Sequence, residues 1–448
     1  MCGLVGIASV NHQSERKWLT VACDMLIHRG PDSRGEWWSE DGKVGLAHRR
    51  LSILDLSSAG DQPMHFNGQS YSIVFNGEIY NYKELSAQLI RKGYQFKSSG
   101  DTEVLLAAYD CWGERCLDYL NGMFAFALYD AGKQQIFLAR DRAGEKPLFY
   151  HLHQGTLQFA SELKSLINHV QSPPRIDPVA LDCYLALGYI PGELCILKNF
   201  KKLPPAHAMT FDLTSGENQV WRYWSLPAAG AYNENDGSEK LTEEELLDEL
   251  DDLLSDSVRR QLIADVPVGV LLSGGVDSGL ITAMAAKTST NVHTYSIRFP
   301  GYKKFDETEY ARLIANHFGT NHTELAADPI SPDVIKLLVR QFDEPMVDSS
   351  MIPTYMVSRL IREHCKVALG GDGGDELFGG YTHYSRLLWM NGKLSPVPGF
   401  VRAGFSKGVE YMLPPGIGGS SLRNWMMSVS EDFVKGVPNP VQLFDRGL

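Results

Sequence analysis

No stretch of this chain approaches the roughly 20 consecutive apolar residues that a membrane-spanning helix requires. It also has no long basic block: 42 Lys and Arg against 54 Asp and Glu leave a formal charge of −12. That balance argues against nucleic acid or an anionic membrane as a main partner. The opening MCGLVGIASV has no cationic segment ahead of a long apolar one, so it does not read as a secretory signal. The seven cysteines (Cys2, Cys23, Cys111, Cys116, Cys183, Cys195, Cys365) are odd in number, scattered and without a CxxC pair. Neither a disulfide framework nor a zinc site is indicated, and a cytoplasmic location is expected. The string GxxxxGK[ST], in which a lysine reaches the terminal phosphates of a nucleotide, is absent too. The rest is ordinary for a soluble protein: 448 residues, 44% apolar and 21% charged, enough for two or three domains.

Against that background Val266 to Ser278, VPVGVLLSGGVDS, stands out. Val266, Val268, Val270, Leu271 and Leu272 read as a short parallel strand covered on both faces. Ser273, Gly274, Gly275, Asp277 and Ser278 read as a tight turn, and helix formers resume from Leu280 to Lys287. A strand, a glycine turn and a helix start gather backbone N–H groups around one point, where an anion such as pyrophosphate can sit. Glycine lets the backbone approach closely. An acidic residue inside an anion cradle makes sense if a divalent metal bridges carboxylate and phosphates. Without a ligand, the same string is a glycine-rich strand-to-helix turn.

SGGVDS resembles the PP-loop of the ATP pyrophosphatases, which split ATP into AMP and pyrophosphate while adenylating a substrate. The resemblance implies ATP and Mg²⁺ as cofactors. Leu271, Ser273, Gly274, Gly275, Asp277 and Ser278 would contact ATP, Ile297 on the next strand would meet adenine through its backbone, and Asp277 would hold the metal. Strands at His293 to Phe299 and His322 to Leu325, alternating with a helix around Thr308 to Phe318, predict a doubly wound parallel sheet. Its ligands belong at the carboxyl ends of the strands.

At the other end of the chain, Cys2 follows the initiator Met and precedes Gly3. Removal of that Met would place a thiol and a free α-amine on one residue. The amine, with an ordinary pKa of about 7.7 to 8.0, could take the thiol proton without any histidine. Taken alone, Cys2 is as well read as a small buried residue opening the strand Leu4 to Val10. The blocks that follow change the weighting: HRGPD (His28 to Asp32), AHRRLSILD (Ala47 to Asp55), Gln62-Pro63, FNGEIYN (Phe75 to Asn81), GDTE (Gly100 to Glu103), GMFAFALYD (Gly122 to Asp130), Arg140 to Arg142, Lys146 to Tyr150 and ASELK (Ala160 to Lys164). In order and spacing they resemble class II glutamine amidotransferase domains to about residue 205. The resemblance implies an N-terminal-nucleophile α/β/β/α sandwich. It also implies Cys2 as nucleophile, Arg50 on the glutamine carboxylate, and Asn76 with the Gly77 N–H as the oxyanion hole. Glu78 and Asp101 would take the α-ammonium. Residue by residue, an ordinary turn, an exposed charge or a helix cap would serve as well. Alternation in Ile73, Phe75 and in Phe124, Phe126, Leu128 predicts strands with one buried face.

Prolines and an acidic stretch mark residues 171 to 245 as a connection. Thr242 with Glu245 predicts a capping box, followed by an apolar helical stripe through Leu246, Leu250, Leu253, Leu254, Val258 and Leu262 that packs beside the nucleotide sheet. Further on, FDEPMVDSSM (Phe342 to Met351) and VALGGDGGDELFGGY (Val367 to Tyr381) resemble asparagine synthetase and its close relatives. There Gly370 and Gly371 would contact ATP, Asp375 would share the metal, and Asp372 or Glu376 would hold metal or handle a proton. An Asp-rich solvated turn is the alternative. Asp372 stands where many members have glutamate, which shortens the reach by one methylene.

The domains expected are 1–210 (glutaminase), 211–245 (linker) and 246–448 (ATP-binding). From Leu394 on, Pro396, Pro398, Pro414, Pro415, Gly416, Gly418 and Gly419 cluster and the resemblance weakens. The family's ExRxPFLD block and its phosphate-contacting lysine helix are missing, so the second domain is expected to be C-terminally incomplete. The function implied is glutamine-dependent amidation of aspartate. The alternatives are the same chemistry on another carboxylate, such as a sugar acid, or a glutaminase or regulatory protein without synthetase activity. The partners expected are small molecules, namely glutamine, aspartate and ATP. A homodimer is carried as an expectation of the resemblance; no sequence feature sets it.

Overall fold

Strands, most of them with buried apolar residues on both faces, build the first half of the chain, in a computed structural model that describes residues 1–11, 14–167, 174–227, 241–298, 306–327, 331–394 and 396–412. The strands are β1 (Gly3–Ser9), β2 (Ser33–Trp38), β3 (Val44–Arg50), β4 (Met64–Phe66), β5 (Tyr71–Ile79) and β6 (Gly122–Asp130). They continue with β7 (Gln135–Arg140), β8 (Phe149–His153), β9 (Thr156–Ala160), β10 (Phe200–Lys202), β11 (His207–Asp212) and β12 (Asn218–Arg222). Two antiparallel six-stranded sheets result, ordered β10-β8-β9-β1-β3-β2 and β12-β11-β7-β6-β5-β4. Helices α1 (Arg16–Asp24), α4 (Leu163–Ile167) and α5 (Pro178–Leu187) cover the first sheet, while α2 (Tyr82–Arg91) and α3 (Asp101–Trp112) cover the second.

This is the expected α/β/β/α sandwich, and its layering corrects one detail of the strands. Ile73, Phe75, Phe124, Phe126 and Leu128 do share a face, packed against α2 and α3. The intervening Val74, Ala125 and Ala127 are just as buried, because they face the opposite sheet. A strand between a sheet and a helix layer has no wet side, so both registers are apolar.

A second correction concerns the linker. Residues 211–222 are not a connection: β11 pairs with β7, and β12 with β11, extending the second sheet. Phe211 and Leu213 are buried in the inter-sheet core, and Asp212 turns the hairpin by accepting the Thr214 and Ser215 N–H groups at 2.7 and 2.8 Å. Of the expected linker, residues 228–240 lie outside the described residues, as do Phe299, Pro414, Pro415, Gly416, Gly418 and Gly419.

The second half comprises α6 (Glu243–Gln261), β13 (Val268–Leu271), α7 (Val276–Thr288), β14 (His293–Arg298), α8 (Thr308–Phe318), β15 (Asn321–Ala326) and α9 (Pro332–Gln341). After these come α10 (Met351–Ile361), β16 (Val367–Leu369), α11 (Gly374–Phe378), α12 (Thr382–Leu394) and α13 (Gly399–Met412). Its sheet is wholly parallel in the order β15-β14-β13-β16. The chain steps outward from β13 to β15, then returns to lay β16 on the other side of β13. The loops leaving β13 and β16 therefore meet at a topological switch point, where ligands of such sheets bind.

The capping box on α6 is complete: Glu245 N–H donates to Thr242 Oγ1 at 3.3 Å, and Thr242 N–H to Glu245 Oε2 at 2.7 Å. The stripe behind it only half packs. Val258 is buried beside Val270 and Met284, with Leu254 and Leu262 against them. Leu246 and Leu253 are 52% and 62% exposed. Among the described residues no helix is long and apolar enough to cross a membrane.

The halves are joined by polar contacts. Asp265 N–H donates to the Ile53 carbonyl at 3.0 Å, and its carboxylate accepts the Asp55 N–H at 2.8 Å. Glu344 accepts the Ile196 N–H and the Lys202 ammonium at 2.8 and 2.7 Å. Asp343 accepts the Leu163 N–H at 2.6 Å. In the first half, Phe126 is fully buried and meets Phe137 edge-on at 5.6 Å. Phe126→Ala is expected to lower unfolding stability by about 3–5 kcal/mol, read as a shift in the urea midpoint with little change in slope.

Candidate functional site

Cys2 opens β1, which lies between β3 and β9 in the middle of the first sheet. Its sulfur accepts the Leu51 N–H at 3.4 Å and donates to the Leu51 carbonyl at 3.7 Å. Its own carbonyl accepts Arg29 Nε at 2.8 Å, and Arg29 Nη1 is paired with Glu162 at 2.9 Å. Beside the sulfur is a cavity of about 60 Å³, and Cys2, Arg50, Asn76, Gly77, Glu78 and Asp101 all line it. The structure thus brings every residue expected to handle glutamine to one place.

Asn76 sits on β5 opposite Ala125. It is buried, and neither its Oδ1 nor its Nδ2 has a hydrogen-bond partner among the described residues. Leaving such an amide unpaired costs about 1–3 kcal/mol, a cost that an oxyanion or carbonyl entering the cavity would offset. Gly77 faces Phe124 on β6, and a Cβ there would strike the Met123 carbonyl and the Phe124 backbone. No larger residue fits without displacing the strand. The ordinary-turn alternative for Asn76-Gly77 is therefore excluded: both lie inside a strand.

Glu78 and Asp101 form a buried acidic pair. Burial, with Asp101 adding repulsion, pushes Glu78 up to about 7, and its Oε1 has no partner. Burial pushes Asp101 up to about 6 although it accepts the Ile79 N–H at 2.9 Å. Two carboxylates held so close to neutrality would gain from a cation placed between them, as an α-ammonium would be.

Arg50 departs from expectation. Its Nη1 donates to the Ser57 carbonyl and to Asp61, both at 2.9 Å, and its Nη2 donates to the Leu54 carbonyl at 3.2 Å and to the Asp55 carbonyl. The loop after β3 wraps the guanidinium, with Gly60 leaving room for it. The two-toothed grip expected on a carboxylate is already spent on that loop. Lys146 lines the same cavity and is buried, which lowers its pKa. Sequence reading placed it in a matching block without a role, and only the cavity singles it out.

The chain's α-amine, here on Met1, also lines this cavity. Burial brings it down to about 6; Cys2 opposes that shift, while Arg29 and Lys146 reinforce it. Burial raises the Cys2 thiol. Thiol and amine belong here to neighbouring residues; a self-contained nucleophile has the amine on Cys2 itself.

The second site is at the switch point. The helix starts earlier than expected: Asp277 and Ser278 belong to the first turn of α7, and Gly275 is its N-cap. The turn itself is Gly274, at φ +93, where a Cβ would meet Tyr310 and the Ala311 N–H. Ser278 holds the loop closed, accepting the Ser273 N–H at 3.2 Å and meeting the Ser273 hydroxyl at 3.0 Å. Leu271, Ser273 and Ile297 line a cavity of about 280 Å³ with Tyr295, Ser296, Glu307, Thr308 and Val357, which sequence reading did not pick out. Gly371 and Gly374 lie against Asp277, so the loops leaving β13 and β16 touch.

Asp375 packs back onto Gly380, Asp372 is exposed beside Gly370, and Glu376 accepts the Tyr381 hydroxyl at 2.6 Å. Glu376 therefore does not face Asp277 as a third ligand. Among the described residues no three acidic, His or Cys side chains cluster as a metal cage. One or two carboxylates completed by phosphate oxygens is how magnesium is ordinarily held beside a nucleotide, and Asp277, alongside the glycines of the facing loop, suits that arrangement.

Comparison with known proteins agrees with this geometry. The profile of the glutamine amidotransferase domain matches residues 1–224, and that of asparagine synthase matches residues 249–430. A Methanocaldococcus jannaschii protein named among the glutamine-hydrolyzing asparagine synthetases is 35% identical over 428 residues, covering 91% of this chain and 80% of that protein. The chain belongs to the asparagine synthetase family. Asparagine synthetase 1 of Bacillus subtilis is 35% identical over 427 residues, covering 94% of this chain and 65% of the relative. Of Bacillus subtilis asparagine synthetase 3 the chain spans 66%. A protein of Gibberella zeae named Amidase chry2 is 31% identical over 391 residues, 82% of this chain and 55% of its own. The synthase match reaches residue 430, so the second half is present as a domain of the synthetase family.

In this synthetase-family site Asn76→Ala is expected to lower glutamine turnover by about 10²–10³-fold at unchanged fold, checked by glutamate release and circular dichroism. Glu78 and Asp101 must be charged to hold an ammonium. Both conditions fail as pH falls from about 7 through about 6. The profile of kcat/KM for glutamine should accordingly drop on its acid side within that window.

Proposed function

We propose that the chain is a glutamine-dependent asparagine synthetase. The observation that carries this reading is the cavity of about 470 Å³ between the halves, lined by Met1 and Leu51 at the glutamine side and by Leu271 and Ala368 at the nucleotide side. A chain built only to hydrolyse glutamine has no use for a space bordered both by Leu51, which bonds the Cys2 sulfur, and by Leu271 at the end of the strand that leads into the nucleotide loop.

Removal of Met1 would move the α-amine onto Cys2 and enlarge the glutamine cavity, part of which Met1 lines. The Cys2 thiol gives its proton to that amine and its sulfur attacks the side-chain carbonyl carbon of glutamine. Asn76 Nδ2 and the Gly77 N–H take the oxyanion, a contact of about 3 kcal/mol per donor. Collapse breaks the carbon–nitrogen bond, the amine returns the proton to the leaving nitrogen, and ammonia departs. Water then releases glutamate from the thioester. Glu78 and Asp101 hold the substrate ammonium, and Arg50 lines the cavity where its carboxylate would lie.

In the second site the base of ATP lies along Leu271, Ser273 and Ile297, with its phosphates against Gly274, Gly275, Ser278, Gly370 and Gly371. Magnesium, arriving with the nucleotide, would offset the phosphate charge and be held by Asp277, with Asp375 joining once its carboxylate turns away from Gly380. The β-carboxylate of aspartate attacks the α-phosphorus and pyrophosphate leaves. Ammonia then displaces AMP from the acyl adenylate. Keeping that ammonia out of water keeps its lone pair available.

A second reading, the same chemistry on another carboxylate, is favoured by Asp372, whose exposed side chain at the nucleotide loop leaves the acceptor undefined, and by the relative named an amidase. Pyrophosphate release with aspartate, ATP and ammonia, set against glutamate release from glutamine alone, separates the readings. Pyrophosphate with aspartate supports the first, and pyrophosphate only with another acid supports the second. Glutamate without pyrophosphate from any acid overturns both. Cys2→Ala is expected to abolish glutamine use and spare ammonia-dependent pyrophosphate release. Asp277→Asn should do the reverse, with intact-mass analysis of the mature chain reporting whether Met1 is gone.

A further inference from the structure

Asp32 of the first half and Lys366 of the second both line the inter-half cavity. Their side chains meet there, Lys366 Nζ donating to Asp32 Oδ2 at 2.7 Å. At 30% and 40% exposed they stand between the cavity and solvent, whereas Ile361 and Cys365 in the same wall are buried.

Both partners are fixed from behind. Asp32 Oδ2 also accepts the Ser52 N–H at 2.9 Å, and the Asp32 N–H donates to the Arg50 carbonyl at 3.0 Å. Asp32 is thereby tied to the segment around Leu51 that holds the Cys2 sulfur. Lys366 directly precedes β16, whose Val367 is paired in register with Val268 of β13. An ion pair this exposed contributes little to stability. Its position sets it apart from an isolated surface pair, because both partners line the cavity between the halves.

Ammonia that reaches bulk water near neutral pH is protonated and loses the lone pair that must attack the acyl adenylate. We propose that the Asp32–Lys366 pair is a solvent-facing wall of the cavity and retains ammonia on its way from Cys2 to the nucleotide site. The proposal rests on the functional reading above and adds to it the residues that keep the nitrogen inside.

The test supplies glutamine carrying a heavy amide nitrogen together with unlabelled ammonium in the medium, ATP, magnesium and aspartate, and reads the isotope in the amide product. In the unmodified chain the product nitrogen is expected to be that of glutamine. Lys366→Met keeps the aliphatic stem and removes the charge. It should shift the product towards the isotopic composition of the medium and lower the amide formed per glutamate, with glutamate release unchanged. Lys366→Arg, which can span the same gap, should restore both.

Retention of the label in Lys366→Met, while the unmodified chain works, overturns the wall alone. An unmodified chain that makes pyrophosphate with neither glutamine nor ammonia overturns the functional reading, and the wall with it. If Lys366→Met does not accumulate as folded protein, Asp32→Asn removes the same pair from the other half and is read in the same way.

Discussion

The buried pairing of Arg29 with Glu162 is the contact that ties the nucleophile's residue to the second half of the chain. Arg29 holds the carbonyl of the nucleophile's own residue, and Glu162 holds Arg29 at 2.9 Å. Glu162 also takes His28 at 3.0 Å and Lys164 at 2.6 Å, and Lys164 reaches Asp343 of the second half at 3.3 Å. Charges alternate along this line from Cys2 to the segment after α9. Burial alone would raise Glu162, yet the hydrogen bonds from His28, Lys164 and Arg29 bring it down to about 2. It is therefore charged at neutral pH. Removing one partner of so buried a pair costs about 3–5 kcal/mol, since the other charge is left without compensation.

The two sites differ in how finished they are. Around Cys2 the polar groups are already buried and several lack partners: both ends of the Asn76 amide and Glu78 Oε1. That is a preorganised site, in which desolvation has been incurred before a ligand arrives. At the switch point, by contrast, Ser273, Gly275, Asp372 and Gly373 are exposed. The loop is shaped by its own Ser273–Ser278 contact rather than by packing from above. Charge on triphosphate and metal has to supply there what burial supplies at Cys2.

Much of this was legible before any coordinates. The capping box at Thr242 and Glu245, the strand-turn-helix around SGGVDS and the parallel alternation after it are local patterns, set by residues a few positions apart. What misled was also local. The apolar stripe on α6 says which residues share a helical face, but not which of them meet a partner: Val258 is buried while Leu246 and Leu253 are exposed. Alternation in β5 and β6 suggested one wet face because a sequence window cannot show that a second sheet lies across from Val74 and Ala127. Arg50 carried the right chemistry, yet the loop that encloses its guanidinium is fixed by backbone carbonyls, which have no sequence signature.

By itself the sequence determined the residue types and their order: a thiol at the second position, a glycine turn with an acid in it, and the blocks around each. Tertiary structure decided which of these meet. HRGPD, ASELK and FDEP lie far apart along the chain, and they converge only because β1 packs between β3 and β9 and the second half docks on their edge. Hydrophobic burial drives that packing without direction. The partner of a given charge is settled only when strand register and the docking of the halves bring particular side chains within hydrogen-bonding reach.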